Sequence, residues 1–73
     1  MKKQELKEKL IEKNISDFCY NLEGKGRTDE RFCLEFINGV WHVYYSERGV
    51  KTTDCMFKTE DEACQYLYEK LIN

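Results

Sequence analysis

Proline is absent from this chain, histidine and tryptophan occur once each, and no apolar run approaches the roughly 20 residues that span a bilayer. Each absence narrows the reading. With no proline, no low-complexity tract and no internal repeat, there is no sign of a linker, and residues 1–73 are expected to form a single domain. The N-terminus runs Met1-Lys2-Lys3-Gln4-Glu5, charged where a signal peptide turns apolar, so a cytoplasmic location is expected with no membrane partner. With one histidine, any acid–base or nucleophilic scheme must pass through His42, and nothing marks Cys33 or Cys55 on neighbouring strands as an activated thiol.

Cys19, Cys33, Cys55 and Cys64 contain no Cys-x-x-Cys pair and have only His42 to help them, which argues against zinc. In a reducing compartment they are expected to pack as small hydrophobes in the core or sheet. The carboxylates of Glu60-Asp61-Glu62 lack the glycine turn and the ligand series of a calcium loop. No catalytic residue, metal ligand or cofactor is therefore expected.

What remains is a small, charged, fairly aromatic chain. A domain of 73 residues buries only about 60% of the surface that its unfolded form exposes, leaving room for one thin core and no deep cleft. At 41% hydrophobic and 36% charged residues it is too apolar for disorder. The net charge is −2, and residues 59–73 hold four acids against Lys70 alone, which is not the basic footprint of a phosphate-backbone binder. The lysines near the N-terminus alternate with Glu5, Glu8 and Glu12 at spacings that suit ion pairs on a solvated helix face. Gly24-Lys25-Gly26-Arg27 could hold a phosphate in principle, yet no helix and no Lys-Ser or Lys-Thr pair follows it.

Periodicity supplies the element order. Residues 2–13 are helix formers with Leu6, Leu10 and Ile11 in one stripe. Asp17 to Glu23 alternates Phe18, Tyr20 and Leu22 as a first strand, and a polar loop follows over Gly24 to Asp29. Asn38-Gly39, the dipeptide that best tolerates two positive φ angles, joins residues 32–37 to residues 40–45 in a hairpin. That register sets Ile37 against Val40, Phe36 against Trp41, Glu35 against His42 and Leu34 against Val43. Phe32, Leu34, Phe36, Trp41, Val43 and Tyr45 then form the core face, and Cys33, Glu35, Ile37, Val40, His42 and Tyr44 form the other.

A fourth strand runs from Val50 to Phe57 with two registers open. A two-residue turn puts Asp54 on the core face. A three-residue loop with Gly49 as the bulge residue puts Thr53, Cys55 and Phe57 there instead, and is preferred because it buries no charge. Thr59 and Glu62 form a capping box, and Ala63, Cys64, Leu67, Tyr68 and Leu71 share one face of the helix that it opens, with Ile72 at the edge. The expected fold is α+β: an N-terminal helix, a four-stranded antiparallel meander sheet and a C-terminal helix, with both helices on one sheet face.

The second sheet face carries the functional expectation. Ile37, Val40, Tyr44 and Met56 beside Glu35 and His42 make either a recognition patch or an ordinary face that is half-buried or covered by a helix. Glu60, Asp61 and Glu62 either serve the capping box and helix dipole or meet a basic partner.

The stretch Tyr44-Tyr45-Ser46-Glu47-Arg48-Gly49, followed by Phe57-Lys58-Thr59-Glu60-Asp61-Glu62-Ala63-Cys64, resembles small immunity proteins of bacterial polymorphic toxin and contact-dependent growth inhibition systems. The resemblance covers residues 39–73. It rests on a strand ending in Glu-Arg-Gly and a helix opening in Phe-x-(Ser/Thr)-Glu-(Asp/Glu)-Glu-Ala. It implies a non-enzymatic inhibitor that binds a cognate toxin, often a nuclease with a basic cleft, and blocks its active site. Glu47, Arg48 and the acids of the last helix, including Glu60 and Asp61, are the positions carried over; Glu35, His42 and Tyr44 join them from the sheet face. A double-stranded RNA-binding module shares the helix–sheet–helix order, but it needs lysines where Glu60, Asp61 and Glu62 stand.

Overall fold

The protein was analysed as a computed structural model, which describes residues 1–23 and 30–73. The loop expected over Gly24 to Asp29, with its Gly-Lys-Gly-Arg segment, lies outside the described residues. The elements are α1 (Lys3–Glu12), a single 3-10 turn (Asp17–Cys19), β1 (Tyr20–Asn21), β2 (Arg31–Ile37), β3 (Val40–Glu47), β4 (Val50–Phe57) and α2 (Glu60–Ile72). The four strands form one sheet in the order β1-β2-β3-β4.

Helix α1 buries Leu6 and Leu10, one turn apart, in the core that it shares with α2 and the sheet. Ile11, expected in the same stripe, is 60% exposed, because the next position rotates about 100° away from Leu10 and the helix ends at once. That ending is a Schellman motif. Asn14 takes φ 60°, the Ile15 amide donates to the Leu10 carbonyl at 2.9 Å, and the Asn14 amide donates to the Ile11 carbonyl at 3.0 Å. Ile15 thereby turns back onto the core.

The first strand is far shorter than the expected Asp17 to Glu23. The Ser16 hydroxyl accepts from the Phe18 amide at 3.1 Å and winds Asp17–Cys19 into the 3-10 turn, which leaves Phe18 exposed. At the other end the Asn21 side chain accepts from the Glu23 amide and bends the chain away. The remaining pairs, Tyr20 with Phe32 and Asn21 with Cys33, run parallel. The sheet is therefore mixed and not a fully antiparallel meander.

The β2–β3 hairpin has the expected register from Ile37↔Val40 outward to Arg31↔Ser46, with φ values of 50° at Asn38 and 80° at Gly39. The β3–β4 connection departs from the three-residue loop. Arg48 (φ 51°) and Gly49 (φ 79°) form a two-residue turn that pairs Glu47 with Val50 and Tyr45 with Thr52. The register then slips by one residue, so that Tyr44 faces both Thr53 and Asp54, and beyond this bulge Val43 meets Cys55 and Trp41 meets Phe57. Cys55 and Phe57 do reach the core side and Asp54 is kept off it. The bulge that achieves this lies at Thr53, which is exposed, and not at Gly49.

Thr59 caps α2 by accepting from the Glu62 amide at 3.2 Å, while Glu62 reaches back to the Thr59 hydroxyl at 3.0 Å. Ala63, Cys64 and Leu67 enter one cluster with Leu6, Leu10, Tyr20, Leu22, Leu34 and Val43, placing both helices on one face of the sheet. Phe32, Trp41, Phe57, Tyr68 and Leu71 pack around it. Phe36, expected in the core, is 57% exposed at the hairpin end, where its ring leans on Trp41 with centroids 4.7 Å apart. Burying each large apolar side chain of this cluster contributes about 1.5–3 kcal/mol, most of it offset by chain entropy. Of the four free cysteines, Cys33 and Cys64 are buried and Cys55 is half-buried; Cys19 is exposed in the 3-10 turn, contrary to the expectation of plain core packing.

Candidate functional site

The sheet face opposite the helices is ordered in rows, because side chains of paired residues on adjacent strands stand side by side. Arg31, Ser46 and Lys51 form the row nearest the Arg48-Gly49 turn. Cys33 and Tyr44 come next, then Glu35, His42 and Met56, and finally Ile37 and Val40 beside the Asn38-Gly39 turn.

The first two rows are closed at Ser46, Cys33 and Tyr44, with Lys51 exposed at the edge. Tyr44 is only 3% exposed, and Cys33 and Ser46 are buried as well. The Tyr44 hydroxyl donates to Glu35 Oε1 at 3.0 Å, and the Lys51 ammonium sits 4.5 Å from the Tyr44 ring centroid. Burial, followed by that hydrogen bond to Glu35, raises the Tyr44 pKa well above the ordinary tyrosine value. Burial also pushes the Cys33 thiol up, partly opposed by the neighbouring Tyr44 hydroxyl. Cys33 is therefore held as a thiol and is a poor nucleophile. Tyr44 had been expected as an exposed recognition residue; a large aromatic whose hydroxyl finds a partner inside is better buried.

The far rows are open. Met56 is 68% exposed, with Ile37 and Val40 half-buried beside it. His42 does not use its cross-strand neighbour Glu35, which is engaged by Tyr44. Its Nδ1 lies 3.2 Å from Asp54 Oδ1 instead. Beyond the Thr53 bulge, Asp54 stands on the His42 side of β4. Asp54 escaped the sequence reading as a site residue. The preference for keeping its charge out of the core already placed it on this face, one strand from His42, and that was the available signal. A histidine oriented by a carboxylate is half of a proton-transfer arrangement. Its neighbours on this face are Glu35, Tyr44 and Met56, and Cys55 points to the opposite side.

The remaining expected residues lie elsewhere. Glu47 and Arg48 are exposed at the β3–β4 turn, where Arg48 supplies the first positive φ. Glu60 is half-buried between the helices: its Oε2 accepts the Lys3 backbone amide at 2.8 Å, and its Oε1 is 3.7 Å from the Lys2 ammonium. It is therefore the acid at the N-terminus of α1 as well as the first residue of α2, a structural post that shields it from a partner. Asp61 pairs with the ammonium of Met1. The structure thus gathers Glu35, His42 and Tyr44 on one face and leaves Glu47 with Arg48, and Glu60 with Asp61, at two other places.

A concavity of about 380 Å³ lies beside Leu22, Leu34, Phe36 and Trp41, with Lys3, Glu23 and Glu35 at its rim. Among the described residues, no group of three or more His, Cys, Asp or Glu side chains is placed to hold a metal ion. No helix among them is long and apolar enough to cross a membrane. No protein-family model, no curated protein and no solved structure matches the chain.

Proposed function

We propose that this chain is a non-enzymatic immunity protein that acts in the cytoplasm, where it binds a cognate bacterial toxin domain and neutralises it. The observation that carries this reading is the open half of the helix-free sheet face. There Met56, Ile37 and Val40 offer apolar surface next to the polar pair of His42 and Asp54 and the carboxylate of Glu35. An apolar centre with a polar rim is the composition of a protein-binding patch, and rigid strands hold it in place without ordering cost on binding. The acidic members of the rim suit a toxin whose cleft is basic and would speed its capture. Glu47 and Arg48, with the α2 opening, supply the stretch that resembles immunity proteins.

The test is to purify the chain with the C-terminal domain of the large secreted protein encoded upstream of it and to measure binding by calorimetry. A one-to-one complex is expected, with Met56→Asp weakening it at least about tenfold, or 1.4 kcal/mol, while leaving the circular dichroism spectrum unchanged. Absence of such a neighbouring gene, or a neighbour that does not bind, would remove the proposal. Full affinity in the Met56→Asp variant would move the docking site off this face.

A further inference from the structure

Thr53 is an extra residue in β4. On the turn side of it, Val50, Lys51 and Thr52 pair with Glu47, Ser46 and Tyr45; on the other side, Cys55, Met56 and Phe57 pair with Val43, His42 and Trp41. Removing Thr53 would set Asp54 opposite Tyr44 and join both segments in one continuous register. Every other pair would survive, with Cys55 and Phe57 still facing the helices and Asp54 and Met56 still facing away. The face assignment of the strand therefore does not need the residue.

Keeping it has a cost. Thr53 has φ 54°, in the left-handed region that disfavours a β-branched side chain. The other positive φ angles among the described residues lie outside the strands, at Asn14, Glu30 and the two hairpin turns. Strain inside a strand is tolerated only when something else is gained.

The position of β4 indicates what that is. It is the outer strand of the sheet, eight residues long, with Val50 and Met56 exposed along it. A long outer strand offers a row of unpaired amides and carbonyls to any other strand, and a second copy of the same chain is always available. The opposite edge is different in kind: β1 is two residues long and pairs with β2 only at Phe32 and Cys33. The charges on β4 do not protect it, because Lys51 and Asp54 are of opposite sign and would attract one another between antiparallel copies.

We infer that the Thr53 bulge is an edge guard, which breaks β4 into two short segments so that a second copy cannot add its own β4 and the chain stays monomeric. The guard does not depend on the identity of the toxin. It would also direct a partner to the sheet face and away from the β4 edge.

Sedimentation equilibrium on the wild type, Thr53→Gly and a Thr53 deletion tests this. The wild type and Thr53→Gly are expected to be monomeric at equal concentrations, with the glycine variant unfolding at a higher urea midpoint because the bulge is kept without the strain. The deletion is expected to retain the wild-type circular dichroism spectrum and to self-associate at least about tenfold more tightly. Adding Asp54→Lys to the deletion leaves only positive charge on the strand and should restore the monomer. A deletion variant that stays monomeric overturns the inference, as does one that cannot fold, since the insertion would then be part of the fold. A wild type that associates as tightly as the deletion, or association that survives Asp54→Lys, overturns it equally.

Discussion

Replacing Glu60 by alanine should destabilise the protein far more than its place in an acidic, solvent-facing run implies. Its Oε2 accepts the Lys3 amide at 2.8 Å, and α1 has no side-chain cap of its own. Losing a capping acceptor costs about 1 kcal/mol. The same carboxylate lies at the N-termini of two helices, and each dipole contributes roughly 0.3–1 kcal/mol. The Lys2 ammonium at 3.7 Å is mostly exposed and adds at most a few tenths. The sum is about 2 kcal/mol, or roughly an 8–16 °C fall in Tm for a domain of this size. Thermal and urea unfolding followed by circular dichroism would measure it, with Glu69→Ala on the exposed face of α2 as the reference. Glu60→Gln should fall between the two, keeping an acceptor and losing the charge. A Glu60→Ala variant as stable as Glu69→Ala would refute the assignment of Glu60 as the cap of α1.

Two other substitutions and one titration follow from buried groups. Tyr44→Phe should cost about 1–2 kcal/mol by leaving Glu35 without its donor, and Tyr44→Ala about 3–5 kcal/mol by emptying a closed site; both are read from urea midpoints, and a neutral Tyr44→Ala would contradict the burial. Burial raises the Cys64 thiol from 9.0 to about 11, with the Glu60 carboxylate adding to the shift. The unfolded chain loses this proton near pH 9 while the folded chain keeps it to about pH 11, so stability is full below pH 9 and falls as pH rises between those values. The loss should approach 2–3 kcal/mol, at roughly 1.4 kcal/mol per pH unit, and Cys64→Ala should flatten that limb of the curve.

The parts of the fold that could be read in the sequence are those decided locally. Asn38-Gly39 dictates its own turn, and the turn dictates the β2–β3 register and both faces. Thr59 and Glu62 open α2 by contacts three residues apart. The parts that could not be read depend on competition between distant segments. The parallel direction of β1 follows from where Ser16 and Asn21 bend the chain, and each bend is a weak signal beside the alternation of Phe18, Tyr20 and Leu22. With Thr53 present as an extra residue, the Arg48-Gly49 turn and the core positions of Cys55 and Phe57 demand registers one residue apart, and the bulge takes up the difference. Local turn chemistry and core packing were each legible, but not their reconciliation within the strand. At the candidate site, His42 and its face were legible, whereas the burial of Tyr44 and the withdrawal of Glu60 between the helices are tertiary facts.

The cap on α1 also sets an order of events. The helix is translated early, yet the carboxylate that completes its first turn belongs to Glu60, more than fifty residues later in the chain. A ten-residue helix is marginal on its own in water. Until α2 docks, α1 lacks both the cap and the α2 side chains that share a cluster with Leu6 and Leu10. On the ribosome the first helix therefore waits for the last, and the domain should close in one step once α2 has emerged.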